Sequence, residues 1–273
     1  QQVEGQCRIF LEHFFNGIGA GLLAHQSQQL NDALLRGREQ TGLHDSGACK
    51  PEALKQGNAQ AQYNMGVWYD KGHGVPQDHT QAAAWYRKAA EQGHAKAQYN
   101  LGLVYTTGQA VQKDERIAAQ WFRKAAEQGL IDAQYRLGLL YHTGHGVEPS
   151  MQEAAHWYRR AAEQGNRQAQ FDLGVLHENG QGTEQNFHEA AKWYHRAAEQ
   201  GDMRAQHHLG VLYDEGQGVE QDHEQAVRWF RRAAEQGHAP SQVRLGVAYF
   251  KGQGVEQDNE QGKKWLEQAA AQR

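Results

Sequence analysis

The chain has 273 residues, enough for two ordinary domains or one elongated repeat array. Apolar residues make up 39% and charged residues 22%, which supplies a core but excludes a membrane-embedded protein. The most apolar stretch, Ile9 to Ala24, is broken by Glu12, His13 and Asn16 and is too short to span a bilayer. A net charge of −4, with no basic run interleaved with aromatics, excludes a general nucleic-acid binder.

In chain order, the first element is residues 1–56, which lack the periodicity of the rest. The sequence opens at Gln1 without methionine or an apolar signal, as a mature form with its targeting segment removed would. Residues 6–38 are expected to form one or two helices capping the apolar face of the first repeat, because a solenoid needs a terminal cap. The alternative is that Phe10, Leu11, Phe14 and Phe15 form a partner-binding surface. Cys7 and Cys49, the only cysteines, both fall here. As a disulfide they point to a periplasmic or secreted protein and stabilise it by about 3–4 kcal/mol; otherwise they are two unrelated thiols in a cytosolic protein.

From residue 57 the chain repeats every 36 residues. Tryptophan recurs at 85, 121, 157, 193, 229 and 265, and glycine in three further series that begin at Gly57, Gly66 and Gly72. The units are 57–92, 93–128, 129–164, 165–200, 201–236 and 237–273. A period of this size means stacked helical hairpins. The first helix of each unit, helix A, is predicted over about 59–71. Its mid-helix glycine sacrifices roughly 1 kcal/mol of propensity, so it should have a packing reason: a close approach by the second helix. After a Gly-rich turn, helix B starts at a capping residue: Asp78, Asp114, Ser150, Asn186, Asp222 or Asp258. Gln or Glu follows three residues later in five of the six units, Ile117 being the exception, which predicts capping boxes. Helix B ends at a glycine suited to a left-handed C-terminal position, as at Gly93.

The sequence Ala-Gln-Tyr-Asn-Leu-Gly, then Gly-Gln-Gly-Val, then Trp-Tyr-Arg-Lys-Ala-Ala-Glu-Gln-Gly resembles the Sel1-like repeat family, relatives of the tetratricopeptide repeats, over about residues 57–273. The resemblance implies an all-α, right-handed α/α superhelix of six hairpin repeats with a concave inner surface. It also implies adaptor, scaffold or inhibitor roles, commonly at the bacterial envelope. Some members are periplasmic immunity proteins that neutralise phospholipase toxins, and others bind host proteins. Cysteine-rich members, linked to penicillin binding and β-lactamase activity, carry paired cysteines in their repeats. This chain has none there.

A residue that recurs in every unit serves the repeat, whereas one that breaks the pattern is free to serve function. The recurring acids from Glu91 to Glu235 are therefore structural or solvated, and no unique acid pair, nucleophile motif or phosphate loop stands out. No catalytic, cofactor or metal residue is expected. Among sixteen histidines, His142 and His145 flank a turn, His207 and His208 are adjacent and point apart, and His73 and His145 share a surface position. His177 and His207 replace aromatic residues. The solvent-facing stripe of helix A is expected at the positions of residues 64, 68 and 71, the mostly aliphatic middle row being alternatively a partly buried packing row. The candidate partner contacts are Asn64, Asn100, Arg136, Asp172, His208 and Arg244, with Trp68 as an aromatic anchor where other units are aliphatic. The expected function is binding of a protein partner, with neutralisation of a secreted lipase or phospholipase toxin as its sharpest form. A signalling or assembly adaptor or host-protein binder is the alternative, and a cell-wall or β-lactam hydrolase is less favoured.

Overall fold

The computed structural model describes residues 57–73 and 75–272, so Cys7, Cys49 and the N-terminal cap lie outside the described residues. The described residues form twelve helices and no strands, one pair per repeat. Helix A is α1 (Ala59–Lys71), α3 (Ala95–Thr107), α5 (Ile131–Thr143), α7 (Arg167–Asn179), α9 (Met203–Glu215) and α11 (Ala239–Lys251). Helix B is α2 (His79–Glu91), α4 (Glu115–Glu127), α6 (Met151–Glu163), α8 (Phe187–Glu199), α10 (His223–Glu235) and α12 (Asn259–Ala270). The chain divides into two compact units, residues 1–128 and 129–273. In each, helix B packs on its own helix A and on the next one.

In the first five repeats the mid-helix glycine lies directly under an aromatic ring of helix B, as the propensity argument requires, and in the sixth Gly246 lies under Leu266. A Cβ on Gly138 would stand 2.6 Å from Tyr158 Cδ1, and one on Gly102 would stand 2.6 Å from Phe122 Cε1. Alanines complete the close packing: Ala154, Ala155, Ala161 and Ala162 of α6 are all buried.

The helix B caps form as expected on one side only. Asp78 accepts the amides of Thr80 and Gln81, and Asn186 accepts that of Glu189. The reciprocal half of the capping box is not made. The cap's own N–H donates to a helix A carbonyl instead, from Asp78 to Tyr69, Asn186 to His177 and Asp258 to Tyr249, at 2.8–3.0 Å. That bond closes the hairpin turn and frees the third helical position, which explains why Ile117 is tolerated. The third position finds other work: Glu153 accepts from the Trp157 indole at 3.2 Å.

A buried glutamine ladder ties neighbouring repeats together. Gln170 donates to the Ala162 carbonyl of the preceding repeat at 3.0 Å and accepts from Gln200 at 2.7 Å. The same acceptance recurs from Gln128 to Gln98 and from Gln236 to Gln206. The amides of Gln98, Gln170 and Gln206 are buried and both donate and accept, as polar groups inside a packed stack must.

Candidate functional site

Helix A carries the residues that vary between repeats, and the structure separates them into two kinds. The row at the position of residue 68 is interior: Leu176 and Leu212 are fully buried and Leu140 nearly so. The middle row of the stripe expected from sequence is thus a packing row, the alternative its aliphatic residues offered, and only the outer rows face solvent. Trp68 itself is half-buried against the cluster of Met65, Tyr69 and Tyr86. The outward rows are those of residues 60, 64, 70 and 71, which are half-buried or exposed in every repeat.

In the first unit this face is made of amides. Asn64 accepts from Gln60 at 2.9 Å. Burial raises the hydroxyls of Tyr63 and Tyr86, and the Asn100 side chain partly offsets that in both, while the Tyr63 ring stacks on His94 at 4.7 Å.

In the second unit it is ionic. Glu178 accepts from His208 Nδ1 at 3.1 Å and, through the same oxygen, from the Tyr194 hydroxyl. Burial pulls the Glu178 carboxyl up, but these two bonds outweigh it and hold the group below the usual carboxylate range. Asp172 is more enclosed. Burial raises its carboxyl, and the Tyr135 hydroxyl and the Arg204 charge only partly offset that. Burial, with Asp172 beside it, pushes Tyr135 up to about 12. Arg204 lies 4.1 Å over the Phe171 ring, and Asp202 grips it through Nε at 3.2 Å and Nη2 at 2.9 Å. Arg244 is exposed, 3.7 Å from Asp214. Arg136 is half-buried on α5.

His208, Asp172 and their partners thus form one connected cluster, while Asn64, Asn100 and Trp68 belong to the other unit. Sequence reading missed Glu178 and Arg204. Their own rows carried the signal, because the row of Glu178 reads Asp70, Thr106, His142, Glu178, Asp214 and Phe250, as variable as the chosen one.

The remaining histidines disperse. His142 Nδ1 lies 3.3 Å from the Tyr158 hydroxyl, whereas His145 bonds Thr143 at 2.9 Å. Among the described residues no group of three or more His, Cys, Asp and Glu is placed to hold a metal ion. The second glycine of the Gly-Gln-Gly turn does not line an open cradle. Gly182, at φ 68°, abuts the Met151 and Gln152 backbone of the preceding repeat, where a Cβ would clash. No described helix is long and apolar enough to cross a membrane.

Stacked helical hairpins with a variable polar face on helix A define an α-helical repeat protein of the protein-interaction class. The Sel1 repeat model matches residues 59–94, 95–130, 131–166, 167–202, 204–238 and 239–273. The chain belongs to the Sel1 repeat family. Its structure is similar to that of a protective antigen present in uropathogenic Escherichia coli strains, with 39% identity and a TM-score of 0.75 over 81% of this chain. The chain spans 47% of the length of that protein. It is also similar to a Sel1 repeat protein from Oxalobacter formigenes, at 39% identity and a TM-score of 0.66, covering 81% of this chain and 87% of the other. An immunity protein from Pseudomonas aeruginosa matches at 23% identity and a TM-score of 0.39, over 81% of this chain and 82% of that one. A comparison with curated proteins found no match.

Proposed function

We propose that the chain is a non-catalytic scaffold of the bacterial envelope that binds a protein partner through its helix A face. The contrast between rows carries this reading. Where helix B and the turns recur nearly unchanged, the helix A face runs through Asn64, Asn100, Arg136, Asp172, His208 and Arg244. Neighbours hold several of these side chains, so docking spends little entropy on ordering them. The periplasmic or secreted location is part of the proposal. It is supported by the likeness to a protective antigen, since such a protein meets the host.

The partner we favour is a secreted toxin of the phospholipase type. Blocking an enzyme by covering it requires an ordered, mixed-charge surface and no reactive group, which describes the helix A face of the second unit. The antigen likeness favours a second reading, a host-protein binder or envelope adaptor.

Purified chain serves as bait in a pull-down from the source organism, beside the variant Asp172→Arg/His208→Glu/Arg244→Glu. Stoichiometric recovery of one secreted lipase, lost in the variant and inhibited by the wild type, supports the toxin reading. Recovery of envelope or host proteins, again lost in the variant, moves the case to the adaptor. Partners indifferent to the variant would sink the helix A face as the site.

A further inference from the structure

Two side chains that break the repeat pattern, and a third diverted from its capping position, meet where repeat 5 joins repeat 6. His207 of α9 stands where the first four repeats have Tyr63, Tyr99, Tyr135 and Phe171. Ser241 of α11 stands where the other five have Ala61, Ala97, Ala133, Ala169 and Ala205. His238 occupies the N-terminal cap of α11 but makes no side-chain cap bond. At the equivalent place His94 does cap, its Nδ1 accepting the Ala97 amide at 3.2 Å. The His238 ring is diverted instead. Its Nδ1 and that of His207 each lie 2.9 Å from Ser241 Oγ, with ring centroids 5.0 Å apart. Ser241 is fully buried.

We propose that the His207–Ser241–His238 bridge is an acid-sensitive latch, which holds the terminal hairpin of α11 and α12 to α9 and α10 at neutral pH and loosens it as the medium acidifies. A hydroxyl has one proton to give and lone pairs to accept with. Between two neutral imidazoles it donates to one Nδ1 and accepts from the other Nδ1–H, and every group is satisfied. Protonating the accepting ring turns both nitrogens into donors. The Ser241 proton then has no acceptor in a buried place, which is costly.

The surroundings give little relief to the new charge. Facing the two rings are His208 and Arg204 on α9 and Arg244 on α11. The acids nearby are Asp202 and Glu178, and both are engaged, Asp202 with Arg204 and Glu178 with His208 and Tyr194. Burial first, and then His238, His208 and Arg244, push His207 down to about 4. Burial and His208 lower His238 as well. The sign follows. Both rings stay neutral in the folded state, whereas the unfolded chain takes up protons below its ordinary value of about 6.5. The latch is therefore fully closed above that value and weakens as the pH falls from there towards the folded value of His207.

The test is amide hydrogen exchange on the full chain between about pH 7.5 and about pH 4.5, with rates divided by unstructured rates at each pH. We expect α11 and α12 to lose protection at least about ten-fold more than α7 and α8. The variant His207→Tyr/His238→Asn/Ser241→Ala installs residues that other repeats already use and should abolish that selective loss. His238→Asn alone removes one of the two titrating rings and its repulsion of a protonated His207, and should at least halve the response. Uniform loss along the chain, or a selective loss that persists in both variants, would overturn the latch.

Discussion

Gly138→Ala sets two physical effects of opposite sign against each other. In an exposed helix interior the change would stabilise the protein by roughly 0.5–1 kcal/mol through propensity. Here the new Cβ would stand 2.6 Å from Tyr158 Cδ1 and 2.7 Å from its Cε1, well inside contact distance. Tyr158 is fully buried, packs against Tyr135 at a centroid distance of 5.7 Å, and has its hydroxyl 3.3 Å from His142. The ring has no room to retreat, so either it or α6 must shift. Overpacking of this kind costs about 1–3 kcal/mol, which leaves a net destabilisation centred on about 1 kcal/mol, and at most about 2.5 kcal/mol, after the propensity gain. Gly246→Ala is the internal comparison. Its Cβ would meet the flexible Leu266 side chain at 3.0–3.1 Å and the Gly262 carbonyl oxygen at 3.0 Å, so its loss should be smaller. Urea unfolding followed by circular dichroism and tryptophan fluorescence measures both. A Gly138→Ala chain as stable as wild type, or more so, would refute the idea that ring packing selects the glycine.

Gln170→Leu should destabilise by about 0.5–1.5 kcal/mol in the same assay, because it removes one bond to the Ala162 carbonyl, which keeps the Gly165 amide, and takes the acceptor from Gln200. A change within error would mean that the ladder contributes nothing to repeat stacking. Asn186→Ala removes the acceptor of the Glu189 amide at 2.9 Å and should lower stability by about 1 kcal/mol. Thermal melting checks that, with Asp78→Ala as its parallel in the other unit. At alkaline pH the direction is set by the tyrosines. Burial holds Tyr86, Tyr158 and Tyr194 above their ordinary value, so the folded state keeps protons that the unfolded chain gives up. Stability should be full below about pH 10 and fall as the pH rises beyond it. Tyrosinate absorbance and loss of helix should then appear together, and ionisation of all eleven tyrosines without unfolding would contradict the burial.

How far the sequence could be read depends on the range of the interaction that fixes each feature. The period, the helix boundaries and the left-handed glycines are local, and residues such as Asp78 and Gly93 announce them. The glycine under the Tyr158 ring was also inferable, because a propensity loss repeated six times requires a reason. Gln170 stops halfway. A recurring buried amide must have partners, but that one partner is thirty residues on and the other in the preceding repeat follows only from how hairpins stack. The capping boxes failed for a related reason. The motif specifies two reciprocal bonds, yet the Asn186 N–H is claimed by the His177 carbonyl across the turn, which no spacing rule within helix B contains.

The binding face was the least readable part because helix A is enclosed on several sides. A helical wheel places residues 64, 68 and 71 near one another, and the neighbouring helix B then decides which of them is covered. Burial of Leu176 and Leu212 removes one row, and the bond between Glu178 and His208 brings in another, joining side chains from successive repeats. Variation within a row therefore has two possible causes. Freedom from packing is one, as at Arg244. The other is a change of packing partner, as at Ser241, where alanine gives way to a hydroxyl shared by two imidazoles. Only the second kind arrives with a complementary change in an adjacent repeat. His207 is such a change, so covariation between adjacent repeats of one chain separates internal devices from recognition surface. By that rule Asn64, Arg136 and Arg244 remain the residues best placed to meet a partner.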